Sequence, residues 1–206
     1  MEPQKDHKVD RRVQRTQQLL NDALLSLIVE KHYDAITVQD IIDRANLGRS
    51  TFYAHYQDKD DLLQSRMDEV VHSLILGAEN ARTDSPGEHD SRPIFSTLPI
   101  FQHVQEQHHL HQAIFGGRGL DVVLKSIRDH LRDHIQEHIE MLQTEGQTPT
   151  VPPLVIANYL AGALVDLLTW WLDQKMPYSP ERMDGIFQDL AMPGVGRTLG
   201  WQQKAD

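Results

Sequence analysis

The chain has 206 residues, 39% hydrophobic and 24% charged, with no cysteine, and 20 basic residues against 30 acidic ones leave it at −10. That is enough chain for one large or two small domains with a buried core. The lack of cysteine excludes a disulfide framework, Cys-based zinc sites and a thiol nucleophile. An excess of acid argues against a phosphate-bearing partner only if it is spread evenly, and here it is not. Residues 1–57 carry eight basic groups (Lys5, Lys8, Arg11, Arg12, Arg15, Lys31, Arg44, Arg49) and eight acidic ones, whereas residues 58–206 carry twelve and twenty-two. Within the first part, the arm from Lys5 to Arg15 is locally +3. This asymmetry predicts two domains with separate tasks, 1–57 and 58–206.

Helical periodicity dominates from the start. Leu20, Leu24, Leu27 and Ile28 repeat at one-turn spacing, which predicts an amphipathic helix over about 11–31. Thr37 reads as the N-cap of a short helix that turns Val38, Ile41, Ile42 and Ala45 inward. Asn46-Leu47-Gly48 interrupts it, Asn and Gly being the residues that tolerate a left-handed backbone. A further short helix over roughly 49–56 buries Phe52 and Tyr56. Asp58 then caps a long helix, 59–81, with Leu62, Leu63, Met67, Val70, Val71 and Leu74 as its stripe.

Thr83 to Pro93 (TDSPGEHDSRP) reads as a loop. Helices are predicted at about 94–114, 118–145, 152–175 and 180–192, with an irregular tail from Met192. The polar, charged N-terminus MEPQKDHKVDRR lacks the apolar stretch of a secretory signal, so a cytoplasmic location is expected. Leu154 to Leu172 is apolar enough to raise the question of a membrane span. Asn158, Asp166 and Thr169 within it favour a helix buried on two sides instead, and no membrane partner is expected. The fold class is therefore all-α.

Two short helices joined by a three-residue turn and braced by a longer one form a helix-turn-helix pattern. The second helix of such a unit enters the major groove, so one face must pack and the other must offer donors. Phe52 and Tyr56 suit the packing face; Arg49, Ser50, Thr51, Tyr53 and His55 suit the other. Arg49 can read a guanine edge. Thr37, Tyr53 and Lys59 suit phosphate oxygens, the last because it stands beside free backbone N–H groups at a helix start.

The run TVQDIIDRANLGRSTFYAHYQDKDDLL, Thr37 to Leu63, resembles the DNA-binding segment of TetR-family transcriptional regulators. Thr37, Thr51-Phe52-Tyr53, His55-Tyr56, Lys59 and Leu62-Leu63 match that pattern in order and spacing. Asn46 stands where a turn Gly is common, and Gly48 where a Ser or Thr commonly caps the third helix. The run from Trp170 to Met183 resembles one TetR-type C-terminal subgroup. The resemblance implies a helical effector and dimerisation domain after the DNA-binding one. It also implies a homodimer through the helices near 152–175 and 180–192, a palindromic double-stranded operator, and a repressor released by a small molecule. No cofactor is implied.

The apolar character of the 152–175 helix on nearly every face agrees, since one side can fill the core while the other needs a partner; Ala161 and Gly162 would permit close approach. Trp170 and Trp171 are expected first of all to pack in a core or an interface. His138, His134, Phe101 and Trp170 are the candidates for lining an effector site, with His138 placed within the apolar stripe of its helix and His134 at its edge. The alternative reading is a His-rich helical metal-binding module. It rests on His103, His108, His109 and His111 in one helix and on His130, His134 and His138 at four-residue spacing in the next. No G-x-S-x-G, phosphate-cradling glycine loop, H-E-x-x-H or EF-hand run occurs, so no enzyme is expected and no metal ligand is assigned.

Overall fold

The computed structural model describes residues 11–83, 96–110, 118–142 and 149–200. Most of the Lys5–Arg15 arm, the Thr83–Pro93 loop beyond Thr83, His111 and the Gly116-Gly117 break lie outside the described residues. All regular structure among the described residues is helical, in the order α1 (Arg11–Glu30), a 3-10 turn (Tyr33–Ala35), α2 (Val38–Ala45), α3 (Arg49–Tyr53), α4 (Lys59–Thr83), α5 (Leu98–Glu106), α6 (Arg118–Leu142), α7 (Pro153–Asp173) and α8 (Pro180–Thr198).

The chain forms two compact units. The first takes α1 to α3, α4 as far as Arg66, and the start of α6 to Val122; the second takes the rest of α4 and α6 together with α5, α7 and α8. Helices α4 and α6 are therefore each members of both units, and compactness does not divide the chain simply between residues 57 and 58.

In the first unit, Leu20, Leu24, Leu27 and Ile28 of α1 are buried, as their spacing predicts. They share its core with Tyr33, Ile36, Ile41, Ile42, Phe52, Tyr56, Leu62 and Leu63. The α4 stripe holds at Leu62, Leu63, Met67 and Val71, while Val70 and Leu74 are half-buried.

In the second unit the core runs from Ile100, Phe101 and Val104 through Leu131, Ile135 and Ile139 to the inner faces of α7 and α8. Phe101 and Trp171 meet edge to face at 5.5 Å, and the Trp171 indole N–H donates to the Tyr178 carbonyl at 3.0 Å. Helix α7 is long and apolar enough to cross a membrane by composition. Its buried residues, Ile156, Ala157, Leu160, Ala161, Leu164, Val165, Leu168 and Trp171, all belong to this core.

Two helices end elsewhere than the sequence predicts. The segment from Met192 is not irregular: α8 continues to Thr198 with Pro193 inside it. The reason is a one-turn repeat, Met183, Phe187, Ala191, Val195 and Leu199, all buried, which carries the helix past the donor that proline lacks. Helix α3 ends at Tyr53 and not near 56, although the Tyr56 N–H still donates to the Phe52 carbonyl at 2.9 Å and keeps that ring inside.

Candidate nucleic-acid interface

The site is built on three local devices. Thr37 has an extended backbone and caps α2 in a reciprocal box. The Asp40 N–H donates to Thr37 Oγ1 at 3.2 Å, and the Thr37 N–H donates to Asp40 Oδ2 at 2.7 Å. The Thr37 hydroxyl also donates to Asp40 Oδ2 at 2.6 Å, and Lys31 Nζ lies 2.9 Å from the same oxygen. The Thr37 hydroxyl and then Lys31 hold the Asp40 carboxyl far below the usual carboxylate range.

The second device is the turn. Asn46 adopts φ 53, ψ 47, its N–H donates to the Asp43 carbonyl at 3.2 Å, and the Leu47 N–H donates to the Ile42 carbonyl at 2.9 Å. That is a Schellman closure with Asn in the left-handed position usually held by Gly. Gly48 then opens α3 with no side-chain cap.

The third device is Lys59. Its ammonium donates to the carbonyls of Tyr33 (2.9 Å), Asp34 (3.3 Å) and Ile36 (2.7 Å), and lies 4.5 Å from the centre of the Tyr33 ring. A cation in the first turn of a helix opposes the helix dipole. Here three carbonyl acceptors compensate it.

These geometries sort the predicted residues. Arg49 and Ser50 are exposed, Tyr53 is 52% exposed, and Thr51 and His55 are half-buried, while Phe52 is fully buried behind them. Arg49 makes no hydrogen bond or ion pair among the described residues. Arg44, by contrast, is held bidentate by Glu30 at 2.8 and 2.6 Å and also donates to Ser26. The hydrogen bond from Arg44 lowers the Glu30 carboxyl below its ordinary value.

Two residues assigned to phosphate face other partners. The Thr37 hydroxyl proton goes to Asp40, and the Lys59 ammonium goes to the 33–36 carbonyls, so both fix the unit's geometry. The spacing of Thr37 and Asp40 is that of a capping box, but the Lys59 partners come from a turn that forms only on folding. A Lys at the first position of a helix was the available signal. Tyr33 and Asp40 also belong to the site's framework, and the exposed Gln39 donates to Asp43 at 2.8 Å.

Of the four effector-site candidates, Trp170 stands apart. Trp170 is 44% exposed on the outer face of α7, and it is Trp171 that packs on Phe101. One residue on a helix turns the side chain by about 100°, so the two tryptophans could not share a face. His138 is half-buried and not within the stripe, which is completed by the fully buried Ile139; His134 is also half-buried, its ring centre 6.4 Å from that of His138. His130 has Nδ1 3.1 Å from the Ser126 carbonyl and 3.4 Å from Asp68 Oδ1. Both neighbours are acceptors, so Nδ1 carries the proton. No group of three or more metal-ligating side chains occurs among the described residues.

A capped helix, a three-residue turn opened by the left-handed Asn46, and a second helix with one face buried and the other polar define a helix-turn-helix protein. Two family descriptions match this chain: "Bacterial regulatory proteins, tetR family" over residues 20–65, and "Transcriptional regulator C-terminal region" over residues 93–193. Together these segments take in most of the sequence, and the chain belongs to the tetR family of bacterial regulatory proteins. That is a family of regulators, not of enzymes.

The chain is similar to the uncharacterized HTH-type transcriptional regulator YxbF of Bacillus subtilis (strain 168), 26% identical over 185 residues. The match covers 87% of this chain and 45% of that protein, so the chain spans about half the length of this curated relative. Its fold is similar to that of a putative TetR-family transcriptional regulator from Syntrophomonas wolfei str. Goettingen. The TM-score is 0.67 at 20% identity, covering 88% of this chain and 95% of that one. A TetR transcriptional regulator from Streptococcus agalactiae 2603V gives a TM-score of 0.59 at 23% identity, covering 88% and 96%.

Proposed function

We propose that this protein is a DNA-binding transcriptional regulator that docks α3 in the major groove. The observation that carries the reading is the split of α3: Phe52 closes its inner face while Arg49, Ser50 and Tyr53 stand outward, the Arg49 guanidinium unengaged among the described residues. Arg49 is also the one Lys or Arg between Ala45 and Asp58. A bidentate guanidinium contact to a guanine edge supplies about 1–3 kcal/mol of discrimination. Ser50, Thr51, Tyr53 and His55 complete the contact face. Arg11 and Arg15, both exposed on α1, supply sequence-independent attraction to phosphate.

The protein acts as a homodimer on a palindromic operator, its two recognition helices about 34 Å apart. The dimer face is the outer side of α7, where Val155, Tyr159, Asp166 and Trp170 are exposed around Gly162. A Cβ built on Gly162 meets nothing within 4 Å, so this face is open to a close neighbour. Ala161 faces the core and takes no part. The outward side of α8, with Leu190 exposed, extends the face.

The second unit holds a small-molecule effector whose binding releases the operator. Phe101, His134 and His138 remain its candidate lining, and Trp170 passes to the dimer face. Release requires that the effector bind the two dimer shapes with different affinity. A DNA-binding role places the protein in the cytoplasm, and neither metal nor cofactor enters the reading.

The test is a gel-shift titration at several salt concentrations, on DNA from immediately upstream of the protein's own coding sequence. Saturable binding that weakens with salt, and that loses sequence preference in Arg49→Ala, is the expected result. Equal affinity of both proteins for that DNA and for scrambled duplex at every salt concentration overturns the docking.

A further inference from the structure

Helix α6 begins inside the first unit, and its second residue, Gly119, sits against the fully buried Tyr33. A Cβ built on Gly119 falls 2.7 Å from Tyr33 Cδ1, 2.8 Å from Cγ and 3.2 Å from Cβ. Real Cβ atoms do not approach that closely, so the ring would have to move. Gly119 has no left-handed backbone to explain it. Within a helix alanine is intrinsically favoured over glycine. The close approach, and not the backbone, is what excludes a side chain here.

Tyr33 has little freedom to yield. Its hydroxyl donates to Asp60 Oδ1 at 2.7 Å, its carbonyl accepts from Lys59, and the Lys59 ammonium covers its ring. Lys59 also holds the Ile36 carbonyl, directly before Thr37, whose box with Asp40 starts α2. Displacing the ring therefore disturbs the clasp that fixes where α2 starts, and α3 follows from α2 through the Asn46 turn.

We propose that the first turn of α6 is a positioning element of the DNA-binding unit, with Gly119 the residue that permits its seating on Tyr33. The proposal rests on the DNA-binding reading for its functional consequence but not for its structural one. Gly119→Ala is compared with wild type, Tyr33→Leu and the Tyr33→Leu/Gly119→Ala double variant, all as full chains. Two quantities are read: amide hydrogen exchange over residues 33–42, with α7 as internal reference, and the dissociation constant for a duplex that wild type recovers from a randomised library.

Gly119→Ala is expected to speed exchange over 33–42 about tenfold while α7 is unchanged, the size expected from modest overpacking. Affinity should fall about tenfold with the salt slope preserved, since the phosphate contacts remain. Adding Gly119→Ala to Tyr33→Leu should change little, because the ring has gone. If Gly119→Ala alone does not fold and the double variant does, the contact is equally supported.

Unchanged or slower exchange in Gly119→Ala overturns the close approach. Equal acceleration in α7, or faster exchange with unaltered affinity, overturns the positioning role. If wild type recovers no duplex, the DNA-binding reading fails, and the exchange comparison alone decides the role of Gly119.

Discussion

The two units hold themselves together in different ways. In the first, polar side chains set the backbone at nearly every junction: Asp40 with Thr37 and Lys31, Glu30 with Arg44, Asp61 with the Gln57 N–H, and Lys59 with the 33–36 carbonyls. In the second, a long apolar core does most of the work and the buried polar contacts among the described residues are few. The Thr97 hydroxyl donates to Asp184, the Ser126 hydroxyl to Asp68, and the Trp171 indole to the Tyr178 carbonyl. Hydrogen bonds fix direction, whereas apolar packing fixes mainly volume. A unit that must hold one short helix at a set angle benefits from the first kind; a larger helical bundle can be built from the second.

The largest expected effect breaks each unit through its own core. Phe52 and Trp171 are both fully buried, and truncation of either to alanine should cost about 3–5 kcal/mol. Trp170 and Trp171 lie on α7 and no tryptophan stands earlier in the chain, so tryptophan emission does not report the first unit. In denaturant titrations Trp171→Ala should lower the emission midpoint, and Phe52→Ala should remove DNA binding while leaving emission nearly as in wild type. A common shift in both variants would mean that the units do not unfold separately.

Next is Lys59. Hydrogen bonds from a charged donor contribute about 1.5–3 kcal/mol each when desolvated, and less at this half-buried position. Lys59→Met should therefore destabilise the first unit by about 1–2 kcal/mol. The salt dependence of DNA affinity, measured on the folded fraction, should keep its slope. A slope that falls by about one, as when a phosphate contact is lost, would return Lys59 to the DNA.

Thr37 and Asp40 should have a smaller effect with a pH signature. The folded Asp40 and Glu30 carboxyls lie below their unfolded values. Their contribution is therefore fully present above the unfolded range near pH ~4 and is lost as pH falls through the folded values. Thr37→Ala removes the cap, at a cost of about 1 kcal/mol near neutrality. It should also flatten the acid side of the stability profile of the first unit. An acid limb as steep as that of wild type would show that Asp40 owes its low value to other neighbours.

What could be read from the sequence follows the same division. The apolar repeats placed α1, α2, α4, α6 and α7 to within a few residues, because burial needs only periodicity. Asn46 was recognisable as the turn because few residues adopt a left-handed backbone without strain. Partners of polar groups far apart in the chain were not legible. The capping-box spacing of Thr37 and Asp40 is a local sign that they meet, whereas Lys59 has the chemistry to meet phosphate and nothing local says that the 33–36 carbonyls reach it first. The end of α8 was hidden because Pro193 and two glycines, at 194 and 196, outweighed the 187, 191, 195 repeat. The two tryptophans could be told apart only by the direction each faces.

Gly48 offers the smallest and sharpest comparison between the units. Helix α8 opens on Ser179, whose hydroxyl accepts from the Arg182 N–H at 3.3 Å; α3 opens on Gly48 with no such acceptor and extends only to Tyr53. A Cβ on Gly48 would meet only the Ser50 and Thr51 hydroxyls, both at 3.9 Å, and its extended backbone already suits a capping serine. Gly48→Ser should therefore stabilise the first unit by a few tenths of a kcal/mol, about the known difference between these caps. Because Arg49 stands next in the chain, the same change should slow amide exchange in α3 and tighten DNA binding by less than about threefold. Stabilisation with weaker binding would mean that the uncapped start of α3 is needed for its fit to the groove, and the short, glycine-opened helix would then be a requirement of binding.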